Sequence, residues 1–306
     1  MASSLLDRTA LVVEGGAMRG IFAAGVLDVF LEHRFRPFDL VLGVSVGASN
    51  VLSYLAGQHG RTRRCFLRQM SRPEFIDPWR MLRGGHWIDL DWLWEAIERE
   101  DPLDRAAAVA SGIEYALVAT CARTGQPRYL SPDADRMLDA IKASCAFPVL
   151  YRHAVRLDGN PYVDGGMSDP LPVREAYRRG ARTIVVIRSR AARFVKKTRL
   201  TNHVGAWMMR REPGVALACR GAARAYGEGF AFLRAPPKDC DIIHVAPEEP
   251  LATSRTSRDR ASLERDYALG RALSRDAMER FESVTRRRAA LALRTAPDGA
   301  GADASA

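Results

Sequence analysis

The sequence predicts an α/β protein built on a mainly parallel sheet, and three observations point there. Short apolar runs of strand length alternate with longer stretches whose apolar residues recur at helical spacing. The first two runs each end in a glycine-containing turn that leads straight into such a stretch. Across 306 residues, 47% hydrophobic and 27% charged, the chain has enough apolar material for one large domain or two smaller ones.

Leu11-Val12-Val13 reads as a short buried strand. The turn Gly15 to Gly20 follows, and then a helix from Ile21 to Leu31 with Ile21, Phe22, Val26 and Phe30 at helical spacing. Leu40 to Val44 reads as the second strand and Val46 to Leu55 as the second helix. Tyr115 to Thr120, Thr183 to Ile187 and Asp241 to Ala246 are further strands, and Asp133 to Ser144 is a helix stopped by Pro148. The stretch Pro73 to Pro102 differs, because it gathers Trp79, Trp87, Trp92 and Trp94. Within it, Phe75 to Trp94 reads in two ways: a cap that lines an acyl pocket or touches a bilayer, or aromatics packing helices on the sheet. Packing is the favoured reading. Arg258 to Arg294 suggests one or two charged amphipathic helices, and the small, polar tail is expected to be disordered. There is no repeat and no clear linker. The expected organisation is a core at 8–190, a continuation of the same domain with a further strand and helices at 191–294, and a tail at 295–306.

Bulk properties narrow the function classes. No charged leader with a cleavage site opens the chain, and its longest apolar stretches, such as Ile21 to Leu31, are short and interrupted by Asp28. Neither a signal peptide nor a membrane span is expected. Cys65, Cys121, Cys145, Cys219 and Cys240 are scattered without CxxC spacing, which suggests free thiols in a reducing compartment and a cytoplasmic protein. The net charge of +10 fits nucleic acid, an anionic membrane surface, or an arginine-rich composition without a partner. Zinc-finger spacing and basic strands interleaved with aromatics are both missing, so nucleic acid is not expected. The basic clusters are Arg188 to Arg199, Met208 to Arg211 and Arg286 to Arg288. The first reads as a solvated loop ahead of a headgroup site or a peripheral contact with an anionic membrane.

Three segments carry chemistry. Gly43-Val44-Ser45-Val46-Gly47 places a serine between glycines where a strand turns into a helix. A nucleophile elbow needs this pattern, since the strained bend exposes the hydroxyl and small flanks avoid collision. A tight turn without chemistry fits the pattern equally well. Glu14 to Gly20, EGGAMRG, follows the first strand, and its adjacent glycines can turn backbone amides towards one developing oxyanion. A dinucleotide loop is the competing reading, but GGAMRG does not match GxGxxG; a close-packed turn is the plain one. Tyr162-Val163-Asp164-Gly165-Gly166 ends a strand in a carboxylate with little bulk around it. Within reach of Ser45, Asp164 would act as general base; on its own, the segment is more commonly a hairpin turn. His153, His203 and His244 lack a distinctive context and read as structural or surface residues.

Together, in this order and spacing, the segments resemble the patatin-like phospholipases over roughly Leu11 to Ile187. The resemblance implies a three-layer α/β/α sandwich with a mainly parallel central sheet and a C-terminal helical extension. It implies a lipid acyl hydrolase with Ser45 as nucleophile and Asp164 as base. Gly15, Gly16, Ala17 and Arg19 would form the oxyanion loop, and Gly43, Gly47, Gly165 and Gly166 would flank the dyad. No cofactor or metal is implied; the partner is a lipid or other acyl ester, and the oligomeric state is left open. Ser144-Cys145-Ala146-Phe147-Pro148 is similar to the small-residue stretch before the family's second catalytic strand. The pairs Asp266-Tyr267 and Gly270-Arg271 are similar to an uncharacterised bacterial branch. One departure stands out: Ala17 occupies the place of a third glycine. If φ is positive there, alanine costs roughly 1 kcal/mol.

Overall fold

The computed structural model describes residues 7–194 and 212–295. Valine-rich runs that are apolar on both faces suit strands covered on two sides, and that is how the sheet is built. Eight strands pair in one sheet. They are β1 (Arg8–Val13), β2 (Leu40–Val44), β3 (Glu114–Cys121), β4 (Pro127–Leu130), β5 (Val155–Leu157), β6 (Asn160–Asp164), β7 (Ala181–Ile187) and β8 (Asp241–Val245). Their order is β5-β6-β3-β2-β1-β7-β8, with β4 pairing β3 off this path. From β3 to β8 the neighbours are parallel, whereas β4, β5 and β6 add an antiparallel margin.

Alternation along each strand separates two cores. Leu11 and Val13 of β1 point to the layer of α1 (Ile21–Glu32), α2 (Val46–Leu55), α3 (Arg61–Leu67) and α5 (Leu90–Glu100). Ala10 and Val12 point to the opposite layer, made by α8 (Val173–Arg178) and α9 (Pro213–Arg234). The short α4 (Pro78–Leu82), α6 (Arg105–Ala110) and α7 (Met137–Cys145) complete the described helices before α8. The result is a three-layer α/β/α sandwich.

The C-terminal stretch is a single helix, α10 (Arg260–Thr295). It crosses α1 so closely that a Cβ on Gly25 would stand 2.2 Å from the Tyr267 carbonyl oxygen, and one on Gly270 would stand 2.1 Å from that of Phe22. Tyr267 donates to Asp28 at 2.7 Å, and Arg271 clamps Glu32 through two bonds of 2.7 and 2.9 Å. These pairs therefore dock the extension. Asp266 accepts from the amides of Ala252 and Thr253, which fixes the loop running from β8 back to α10.

Other expectations shift at their edges. The helix expected from Asp133 starts at Met137, because the Asp133 carboxylate caps a turn by accepting from the Arg136 amide. It ends at Cys145, before Pro148 exerts any effect. The solvated reading of Arg188 to Arg199 fails at its first residue. Arg188 is fully buried, donating to the Ala191, Ala192 and Phe194 carbonyls and to the Tyr226 hydroxyl. Residues 195–199, the 208–211 cluster, His203 and the tail 296–306 lie outside the described residues. All five cysteines are free thiols, and no described helix is long and apolar enough to cross a membrane.

Candidate active site

The carboxyl ends of β1, β2 and β7 converge, as ligand sites in open parallel sheets do. Ser45 follows β2 directly and heads α2, with φ 54° and ψ −131°. A non-glycine residue rarely holds this conformation, which costs roughly 1–3 kcal/mol and persists only when neighbours enforce it. The enforcement is visible. A Cβ on Gly47 would stand 2.5 Å from the Val13 carbonyl oxygen, so only glycine lets α2 start against β1. Gly43 packs in the same way against Ala48. The Ser45 amide donates to Ser144 Oγ at 2.9 Å, and that hydroxyl donates to the Val118 carbonyl at 2.6 Å.

Asp164 reaches Ser45 through strand register. Val44 of β2 pairs with Val118 of β3, and Ala119 of β3 pairs with Asp164 of β6, so the two residues leave strands on either side of β3 at one level. Ser45 Oγ donates to Asp164 Oδ2 at 2.7 Å, and the other carboxylate oxygen accepts from the Gly166 amide at 2.7 Å. The aspartate is buried, and its carbonyl accepts from Thr120 Oγ1 at 2.8 Å. Gly165 fits under the Val118 carbonyl with no room for a side chain.

Gly15, Gly16 and Ala17 line the same cleft, which encloses about 370 Å³ with Ser45 and Asp164. Among the described residues their amides make no hydrogen bond to the protein. Glu14, buried, accepts from the Ser189 amide at 2.7 Å and so ties the loop to the end of β7. Ala17 takes φ 50°, the left-handed conformation in which alanine is strained. Arg19 also lines the cleft, its guanidinium pushed down to about 10 by burial and by the charges of Arg190 and Arg255.

A second cavity of about 60 Å³ adjoins Ser45 and is mainly apolar, with Ser49, Thr62 and Arg255 as polar members of its lining. Phe66 and Met70 from the α3 region, and Leu93, Trp94 and Ile97 from α5, form its walls. The tryptophans of the 75–94 segment divide by position. Trp94 packs in the core while facing this cavity, Trp87 and Trp92 pack from the side, and Trp79 is exposed.

Sequence reasoning placed the elbow, the glycine loop and Asp164, and these come together. It missed Ser144 as the anchor of the Ser45 amide, although the stretch was noticed. It also missed Cys145, whose thiol is raised well above its ordinary value by burial and then by Asp164. Arg190 joins the cleft from the flagged Arg188 to Arg199 cluster, and Arg255 joins it from a distant loop with no local signal. The described histidines stay away: His153 stacks with His86 and Tyr151, and His244 lies near Arg188.

The comparisons bear on this geometry. The family model described as patatin-like phospholipase matches residues 11–177, and a domain of unknown function, DUF6363, matches residues 213–286. The chain is 40% identical over 273 residues to the uncharacterized protein YjjU of Escherichia coli K12, covering 88% of this chain and 76% of that protein. Among solved structures, VipD from Legionella pneumophila aligns with a TM-score of 0.47 at 14% identity, covering 90% of this chain and 67% of that one.

Proposed function

The chain belongs to the patatin-like phospholipase family, and on that premise we propose that it is a serine lipid acyl hydrolase of phospholipase A or esterase type, working through a Ser45–Asp164 dyad. The observation that carries this reading is the 2.7 Å bond from a strained, elbow-borne serine hydroxyl to a buried aspartate, at the mouth of an apolar cavity. We take 8–190, which bears the dyad, and 191–294 as one domain, because Cys219, Ala222, Tyr226, Arg255 and Thr256 line the cleft together with Ser45 and Asp164.

Asp164 takes the Ser45 proton as Oγ attacks the ester carbonyl carbon. The amides of Gly15, Gly16 and Ala17 receive the oxyanion as the tetrahedral intermediate forms; a donor of this kind is worth about 10²–10³ in rate. The intermediate collapses, the alcohol leaves with the proton from Asp164, and the acyl chain stays on Ser45 with its tail in the apolar cavity. Water then attacks the acyl-enzyme, giving its proton to Asp164; as the second tetrahedral intermediate collapses, Asp164 passes that proton to Ser45 Oγ and the fatty acid is released. The Gly166 amide keeps one carboxylate oxygen occupied, so the other stays aimed at Ser45.

Labelling with a fluorophosphonate probe and peptide mass spectrometry tests this on wild type, Ser45→Ala and Asp164→Ala. The expected label is on Ser45 and weakens sharply without Asp164. A folded wild-type protein that resists the probe, and turns over no ester, refutes the reading. Soluble thioesters and esters of graded chain length separate a lipid hydrolase from a broad carboxylesterase.

A further inference from the structure

Besides Asp164, the cleft carries charge that the dyad mechanism does not use, and Arg255 stands where the cleft meets the apolar cavity. Five ionisable side chains of Asp, Glu or Arg line the cleft: Glu14, Arg19, Asp164, Arg190 and Arg255. Both carboxylates are engaged, Glu14 by Ser189 and Asp164 by Ser45 and Gly166. Among the described residues no carboxylate lies within 4.0 Å of the Arg19 or Arg255 guanidinium. Arg19 Nε is buried and has no hydrogen-bond partner there.

The other two arginines are held in place. Arg188 grips the carbonyls of the loop that presents Arg190, and Arg190 stacks on Phe194 with 4.3 Å from Cζ to the ring centre. Arg255 lies 5.5 Å from the Phe147 ring centre, and its carbonyl accepts from the Met18 amide in the oxyanion loop. Its loop is pinned by Asp266. Three like charges gathered in one cleft repel each other: Arg190 and Arg255 add to burial, the larger cause, in lowering Arg19, and an anion relieves the repulsion.

We infer that Arg19, Arg190 and Arg255 form an anion subsite that takes the phosphate of the substrate's headgroup, so that net-anionic phospholipids are turned over in preference to zwitterionic ones. This rests on the acyl hydrolase reading. With the scissile ester at Ser45 and the acyl chain in the apolar cavity, the phosphate a few bonds away falls among the arginines. Guanidinium groups bind phosphate oxygens through paired hydrogen bonds. A headgroup ammonium finds only arginines there, since neither carboxylate is open to it. The subsite therefore discriminates by repulsion as well as attraction.

The test uses the full-length protein and short-chain diacyl lipids as monomers, which removes attraction to a charged membrane surface. The acyl chains are identical, and the headgroups are phosphoglycerol, phosphocholine or none. The expected order of kcat/KM is phosphoglycerol, then phosphocholine, then the uncharged diglyceride, with about ten-fold between the first two. Arg190→Gln and Arg255→Gln each move that ratio towards one, and Arg255→Lys restores part of it. Equal turnover of all three lipids by wild type overturns the subsite and leaves the dyad standing. Loss of turnover on every ester, with no fluorophosphonate label, overturns the dyad instead. Inorganic phosphate separates a headgroup from the free ion. If millimolar phosphate leaves phosphoglycerol turnover within two-fold, the headgroup assignment holds; inhibition at micromolar phosphate overturns it in favour of a free-phosphate site.

Discussion

Replacing Ser144 by alanine removes one hydroxyl and strands two backbone groups at the elbow. Ser144 is fully buried, accepting from the Ser45 amide at 2.9 Å and donating to the Val118 carbonyl at 2.6 Å. A buried polar group left without a partner costs about 1–3 kcal/mol, so the pair amounts to roughly 2–6 kcal/mol. The elbow's own strain of roughly 1–3 kcal/mol works in the same direction, because the missing bond is one of the constraints that hold Ser45 at φ 54°. We therefore expect Ser144→Ala to lose about 3 kcal/mol of stability, as a lower urea midpoint with an unchanged slope. Ser45 then relaxes away from Asp164, and fluorophosphonate labelling slows at least ten-fold under conditions where the variant is fully folded. Ser131→Ala is the control: it removes a hydroxyl that donates to the Tyr115 carbonyl away from the elbow, and only a smaller stability loss is expected. A change below about 0.5 kcal/mol with unaltered labelling would falsify the anchoring argument. Lost stability with full labelling would show that the backbone alone fixes the elbow.

Four further outcomes follow from the same geometry. Gly47→Ala drives a methyl to 2.5 Å from the Val13 carbonyl oxygen, so either the protein unfolds at a lower temperature or α2 shifts and ester hydrolysis is lost. Ala17→Gly relieves the strain at φ 50°, roughly 1–2 kcal/mol, against about 0.5–1 kcal/mol of extra chain entropy in the unfolded state. Denaturation should show equal or slightly higher stability, and a clear loss would mean the methyl packs usefully. Ile97→Phe narrows the apolar cavity proposed to take the acyl chain, so turnover of long-chain esters should fall about ten-fold relative to short ones in a chain-length series. The fourth concerns pH. His244 is pushed down to about 4, by burial first and then by Arg188 and Arg280, so stability present above pH 6.5 is lost as pH falls towards 4. Asp169 is pushed up to about 6 by burial, so stability present below pH 3.8 is lost as pH rises to 6. Each contribution is about 3 kcal/mol and the windows overlap, so they oppose each other in wild type. His244→Gln should expose a stability that falls with rising pH across that window and Asp169→Asn one that rises; identical profiles in all three proteins would refute both assignments.

The parts of the site that were legible in the sequence are those whose chemistry is local. An elbow needs glycine on both sides of its serine because α2 runs against the β1 backbone, and that requirement is written within five residues. The Asp164 segment is legible for a similar reason: Gly165 lies under the Val118 carbonyl, and Gly166 offers its amide to the carboxylate. Arg188 shows the opposite case. Its neighbours made it look like part of a solvated basic loop, yet the groups that satisfy it are carbonyls of its own loop and the Tyr226 hydroxyl on α9. No pattern around Arg188 announces that its loop folds back over it or that α9 brings Tyr226 against it. The break between Asp133 and Met137 was hidden for a smaller reason: an aspartate that caps a turn reads, from composition, like one that caps a helix.

The C-terminal region, whose matching domain has no known function, is tied to the chemistry by physical connection. Gly25 and Gly270 let α10 settle on α1, the helix that begins where the Gly15 to Gly20 loop ends. Asp266, on that same helix, holds the loop bearing Arg255, and the Arg255 carbonyl receives the Met18 amide next to Ala17. A bulky residue at position 270 would therefore do more than loosen a distant helix. By lifting α10 it would move Asp266, release Arg255 from the cleft wall and free one constraint on a loop that already carries strain at Ala17. Gly270→Val should accordingly impair hydrolysis of an anionic lipid at temperatures where the sheet, followed by far-ultraviolet circular dichroism, is still intact. Activity that persists until the sheet itself melts would show that the extension supports the fold without reaching the site.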